Sequence, residues 1–108
     1  MNLIWVLVNC NSFEEAEKIG DEALKKRLAV CFDVFARSLA KYFWPPKSGE
    51  IEKAQGALLI LETEEAKYED IQQVIKSVHS DQLPFTGFVR IEGVREDYKE
   101  WLQGELAK

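Results

Sequence analysis

Residues 2–9, NLIWVLVN, form an apolar run rich in β-branched and aromatic side chains, and predict a buried strand. Ser12-Phe13-Glu14-Glu15 follows as a capping box: the Ser12 hydroxyl can accept the Glu15 amide, and the Glu15 carboxylate can reach back. The helix it opens is expected to bury Ala16, Gly20, Ala23, Leu24 and Leu28. Lys25, Lys26 and Arg27 crowd its last turn, where the helix dipole favours cations. Residues 29–44, AVCFDVFARSLAKYFW, predict a long second strand, ended by Pro45-Pro46, with Lys47-Ser48-Gly49 as the turn. A third strand is expected from about Glu50 to Leu61, with Gly56 as a bulge or kink. Thr63 is the expected N-cap of a helix with Glu64 and Glu65 in its first turn. Ile71, Val74, Ile75 and Val78 then recur at i, i+3, i+4 and i+7 and give that helix its buried face. Residues 84–92, PFTGFVRIE, predict a fourth strand, and Tyr98, Trp101 and Leu102 mark one face of a short last helix.

The order is strand, helix, strand, strand, helix, strand, helix. With right-handed crossovers it gives an α+β fold in one domain over residues 1–108: a ferredoxin-like βαββαβ plait with sheet order 4-1-3-2, an extra C-terminal helix and an extended hairpin between the second and third strands. Both long helices then lie on one side of the sheet. Yet the two central strands are apolar on both faces. Leu3, Trp5 and Leu7 alternate with Ile4, Val6 and Val8, and Ala57-Leu58-Leu59-Ile60-Leu61 does the same. A strand with one wet face should alternate apolar with polar. The uncovered face of a four-stranded sheet projects about 350 Å², and its side chains expose more. That is comparable to the largest apolar patch of an ordinary monomer. A homo-oligomer is therefore expected; the competing arrangement is a monomer whose last helix folds across the open face.

Charge narrows the partners. The chain carries 14 Lys and Arg against 19 Asp and Glu, a net charge of −5, which repels phosphate backbones and argues against nucleic acid. The N-terminal apolar run is far shorter than the ~20 residues a membrane span needs, and it has neither a basic n-region nor a cleavage site. With two cysteines and no signal peptide, a reducing, cytoplasmic location is expected.

The chemistry rests on few residues. His79 is the only histidine, and it sits where the second helix stops, a position the dipole favours for any histidine. The topology puts it at the same end of the molecule as Cys10, with Asp81 and Glu50 as further possible ligands. Cys31 begins the second strand at the opposite end. A strand of about six residues at ~3.3 Å each separates the two thiols by roughly 20 Å, too far for a disulfide or a shared ion within one chain. Candidate metal ligands are thus His79, Cys10 and Cys31, not all three on one ion of one subunit. No C-x-x-C, no triad signature and no glycine-rich phosphate loop occurs, so no enzyme activity is expected.

RLAVCFDV at 27–34, Tyr42 and Trp44 at the end of a long strand, Gly49-Glu50-Ile51, LLILET at 58–63, His79 with Pro84 five residues on, and Tyr98-x-x-Trp101-Leu102 stand in the order seen in CutA, the divalent-cation-tolerance family. The resemblance covers nearly the whole chain. It implies a P-II-like plait assembled as a homotrimer, with a ligand cleft between subunits built from Cys31, Tyr42, Trp44, His79 and Trp101. It also implies a role in tolerance of, or response to, a divalent metal ion such as copper or zinc. Three departures bear on the cleft. The family's His-Pro-Tyr-Glu is His79-Ser80-Asp81-Gln82 here, its Lys-Thr is Glu62-Thr63, and PPKS stands where one residue is usual between Trp and Gly. The alternative is a signalling or partner-binding trimer of P-II type with no metal role, its PPKS-bearing hairpin presenting the surface.

Overall fold

In the computed structural model, which describes residues 1–108, the chain forms β1 (Leu3–Cys10), α1 (Phe13–Lys25), β2 (Cys31–Phe43), β3 (Ile51–Glu64), a 3-10 turn (Glu65–Lys67), α2 (Tyr68–Val78), β4 (Thr86–Arg90) and α3 (Glu96–Leu106). The sheet order is β2-β3-β1-β4 with every pair antiparallel, the predicted 4-1-3-2 plait.

One face of the sheet carries the core. Ile4, Val6, Val8 and Cys10 of β1 and Ala57, Leu59 and Leu61 of β3 pack beneath Ala16, Ile19 and Ala23 of α1 and Ile71, Val74 and Ile75 of α2. The Phe32 ring of β2 lies directly over Gly20, which lets α1 approach the sheet closely. The first helix ends earlier than its apolar spacing suggests. Arg27 takes a left-handed backbone (φ 58°), Leu28 N–H donates to the Ala23 carbonyl at 2.9 Å, and Arg27 N–H donates to Leu24 at 3.0 Å. This is a Schellman ending, with Leu28 folded back into the core. Leu28 is therefore buried but not helical, Leu24 is exposed, and Ile19 fills the place assigned to Leu24.

Three further expectations change. Thr63 is not a helix cap. It belongs to β3, which runs on to Glu64 because Leu3 and Ile4 pair with Glu64 and Thr63, and its buried hydroxyl donates to the Leu28 carbonyl at 2.6 Å. Gly56 is not a bulge. The irregularity lies on the opposite strand, where Ser38 and Leu39 of β2 face the single residue Gln55, between the pairs Arg37–Gly56 and Ala40–Ala54. Gly56 is needed for a different reason: the Cys10 carbonyl occupies the place a Cβ would take. The fourth strand is shorter than expected, although Asn9 N–H to Phe85 and Ile91 N–H to Leu3 prolong its pairing at both ends.

The second face stays largely open. Helix α3 covers only a corner of it, where Leu102 and Leu106 bury Leu3 with Val30, Ile91 and Val94 packed around them. Trp5, Val89 and Phe35 remain 37%, 45% and 51% exposed, which rules out a last helix laid across the whole face. Beyond the sheet, β2 and β3 continue as a hairpin that stretches the molecule to 48 × 27 × 22 Å. Its tip is held by the Ser48 hydroxyl, which donates to the Pro45 carbonyl at 2.7 Å and accepts from Glu50 N–H at 3.1 Å. No helix is long and apolar enough to cross a membrane.

Candidate functional site

The candidate ligands fall into two groups at opposite ends of the sheet. Cys10 pairs with Ala57 and Cys31 with Glu62 across β3. Five residues of strand separate the groups by roughly 17 Å, so the thiols are as far apart as the topology predicts.

At one end, Cys10, Glu15 and His79 bring ligand atoms within 4.8 Å of one another. Their donors are already engaged. His79 Nε2 lies 2.7 Å from the Asn9 carbonyl, and its Nδ1 accepts Asp81 N–H at 3.0 Å. A ring that accepts at Nδ1 and donates at Nε2 is the neutral tautomer with no lone pair left for an ion. Glu15 accepts Asn11 N–H at 2.9 Å on one oxygen and Ser80 N–H at 2.8 Å on the other. Burial opposes its charge, but these N–H donors outweigh burial and hold its carboxyl below the usual range. The Cys10 thiol, buried and beside the Glu15 charge, is pushed up to about 12. This group is a latch between β1, α1 and the end of α2. Asp81, considered as a further ligand, accepts the Asn11 side-chain amide at 3.0 Å, and Glu50 sits exposed at the hairpin.

The other group lies on the open face. Cys31 and Asp33 point the same way along β2, and Glu62 faces Cys31 across the ladder. Their ligand atoms also lie within 4.8 Å of one another. The Tyr98 hydroxyl donates to Glu62, and the Tyr98 and Trp101 rings are 5.4 Å apart between centroids, so α3 walls the group on one side. Trp5, the β1 partner of Glu62, walls it on another. Burial first, then the Glu62 and Asp33 charges, raise the Cys31 thiol above its ordinary value. Burial, the Glu62 hydrogen bond and the same charges raise Tyr98. Donors on a tetrahedral ion with bonds of ~2.0–2.3 Å stand ~3.6 Å apart, so small side-chain shifts would let one thiolate and two carboxylates close on a divalent ion.

Tyr42 and Trp44 belong to neither group. They line a cleft of about 780 Å³ between the hairpin and the loop after α2. Within one chain, then, Trp101 stands beside the Tyr98 that bonds Glu62 in the Cys31 group, His79 stays with Cys10, and Tyr42 and Trp44 line a cleft with the loop that follows His79.

A family model described as CutA1 divalent ion tolerance protein matches residues 4–105. The chain belongs to the CutA1 family. The divalent-cation tolerance protein CutA of Pyrococcus horikoshii is 32% identical over 106 residues, covering 98% of this chain and 100% of that protein. CutA of Archaeoglobus fulgidus is 29% identical over 98 residues, covering 91% and 92%. Solved CutA structures share the fold. The periplasmic divalent cation tolerance protein CutA from Archaeoglobus fulgidus superposes with a TM-score of 0.89 at 26% identity, over 96% of this chain and 98% of that one. CutA1 from Pyrococcus horikoshii gives 0.85 at 31% identity, over 94% and 96%.

Membership fits the plait and leaves the ligand chemistry to this chain's own residues. Asp33 and Tyr98 escape a reading of the sequence as site residues, and Glu62 enters it only as a departure from the family's lysine. Cys31-x-Asp33 on a strand is a visible same-face pair, but Glu62 joins it only through the β2–β3 register.

Proposed function

We propose that this CutA1-family chain acts in divalent metal ion tolerance as a homotrimer, binding copper or zinc on its open sheet face, where subunits meet, without catalysing a reaction. The observation that carries the reading is the placement of Cys31, Asp33 and Glu62, with ligand atoms within 4.8 Å, on an apolar face that its own chain leaves open. A thiolate with two carboxylates suits borderline and soft divalent ions. Burial, and after it the Glu62 and Asp33 charges, keep the Cys31 thiol protonated; a cation would neutralise those charges and the thiolate, so binding expels the proton and strengthens as pH rises. Covering Trp5, Phe35 and Val89 by a neighbouring subunit would exclude water from the same region and strengthen every charge interaction in it.

Zinc titration by calorimetry tests this on the wild type, Cys31→Ser, Glu62→Gln and His79→Gln. The first two substitutions should each weaken binding at least about tenfold, or about 1.4 kcal/mol, and His79→Gln should leave it unchanged. Zinc affinity indifferent to Cys31→Ser and Glu62→Gln together would refute the site.

A further inference from the structure

The group of Cys31, Asp33 and Glu62 is acidic and short of partners. Neither carboxylate is ion-paired; the ion pairs of the molecule all lie elsewhere. One side-chain hydrogen bond reaches the group: the Tyr98 hydroxyl donates to Oε1 of Glu62, and Oε2 takes no donor. Glu62 is half-buried, so a donor on its charge counts for more there than in open water. Glu62 is also a position at which the chain departs from its family, so the pair is this chain's own. Two periodicities explain how α3 delivers the phenol. Leu102 is buried on Leu3, and Tyr98 precedes it by four residues, on the same side of the helix. Those four residues advance ~6 Å along α3, and Leu3 to Trp5 is ~6.6 Å along β1. Trp5 pairs with Glu62, so anchoring α3 on Leu3 brings Tyr98 to the Trp5–Glu62 pair. The Trp101 ring, 5.4 Å from that of Tyr98 between centroids, stands beside it.

We propose that Tyr98 is a positioning residue for the metal site proposed above, on which this inference rests: its hydroxyl occupies Oε1 of Glu62 and leaves Oε2 for the ion, so that Glu62 binds through one oxygen. One oxygen from Glu62, beside the Cys31 thiolate and the Asp33 carboxylate, keeps the coordination number low, as zinc prefers. A Glu62 free to chelate with both oxygens would favour the higher coordination numbers and all-oxygen ligand sets of calcium-like ions. Tyr98 thus sets both the orientation of Glu62 and the class of ion, four-coordinate and divalent, that the group takes.

Calorimetric zinc titration of the assembled full chain, with Co(II) as a spectroscopic stand-in, tests this on the wild type, Tyr98→Phe, Glu62→Gln and the double variant. Tyr98→Phe keeps the ring beside Trp101 and removes only the hydroxyl. It should weaken zinc binding about tenfold. In the Glu62→Gln background the same substitution should cost less than about twofold, because the carboxylate it orients is gone. The intense visible bands of four-coordinate Co(II) should appear in the wild type and weaken in Tyr98→Phe, as Glu62 turns to bind with both oxygens. Equal zinc losses in both backgrounds would reduce Tyr98 to a prop for α3 and overturn the proposal. So would unchanged zinc affinity in Tyr98→Phe, or a Co(II) spectrum that the substitution does not alter. Cys31→Ser separates this inference from the one beneath it. Zinc affinity that falls with Cys31→Ser but not with Tyr98→Phe keeps the site and removes the positioning role, whereas affinity indifferent to both Cys31→Ser and Glu62→Gln removes the two together.

Discussion

His79 Nε2 is tied to the Asn9 carbonyl across 2.7 Å, and this one contact fastens the end of α2 to the end of β1. With Nδ1 accepting Asp81 N–H at 3.0 Å, the ring is buried and doubly bonded. Its removal leaves an interior carbonyl and an amide without partners. His79→Ala should therefore destabilise the fold by about 1–3 kcal/mol, with the cavity adding to the loss. A lower urea midpoint at unchanged m-value is the expected result. Unchanged stability would mean that the latch is ornamental, and would reopen His79 as a ligand.

Gly20 and Phe32 make a second testable contact. A Cβ on Gly20 would stand 2.6 Å from three ring atoms of Phe32, including the one bonded to its own Cβ, so the ring cannot simply swing its far end away. In an exposed helix Gly→Ala gains about 1 kcal/mol. Here overpacking of about 1–3 kcal/mol opposes it, and Gly20→Ala should come out destabilising. Phe32→Leu clears the space. The double variant Gly20→Ala, Phe32→Leu should lose less than the sum of its parts in a thermal-unfolding cycle. Simple additivity would show that the two residues do not touch.

The open face was legible before any coordinates, because Trp5 and Leu7 stand among residues whose neighbours of opposite parity are just as apolar. What α3 does there was not. Leu102 could be placed on a helix face, but only the fold sets it on Leu3 rather than on Trp5. The misread positions share a cause. Thr63 has the side chain of a cap and the neighbours of one, yet the β1 register carries β3 past it, and its hydroxyl finds Leu28, 35 residues away. Glu15 was recognisable as part of a capping box, and Ser12 does accept its amide at 3.1 Å. Its carboxylate, however, serves the Asn11 amide and, across 65 residues, that of Ser80. Local chemistry in a sequence announces a donor or an acceptor. Which distant backbone atom completes the bond is decided by packing.

Assembly can be probed on the β2 side of the uncovered face. Phe35 is half exposed, on the same face as Cys31 and Asp33, and paired with Leu58 of β3. A carboxylate there adds charge to a surface that must lose its water if subunits meet. Sedimentation of the wild type should give a multiple of 12.4 kDa, and Phe35→Glu should shift it toward the single chain. A wild type that sediments as one chain at micromolar concentration would remove the oligomer from the proposal.

The buried thiol of Cys10 gives the fold an alkaline signature. Burial, followed by the Glu15 charge, moves its pKa from an ordinary 9.0 to about 12. Below pH 9 the folded and unfolded chains both hold this proton, and stability does not depend on it. As pH climbs through 9, the unfolded chain releases the proton first, while the folded chain retains it up to about 12. The unfolded state is favoured throughout that window, so stability falls by up to about 1.4 kcal/mol per pH unit from this thiol alone. Cys31 and Tyr98 are raised too, and act in the same direction. The Cys10 share is isolated by Cys10→Ala, which should lower stability modestly at neutral pH and flatten its decline above pH 9, as read by urea unfolding at several pH values. If wild type and variant decline in parallel, the thiol is ionising as readily in the folded chain as in the unfolded one.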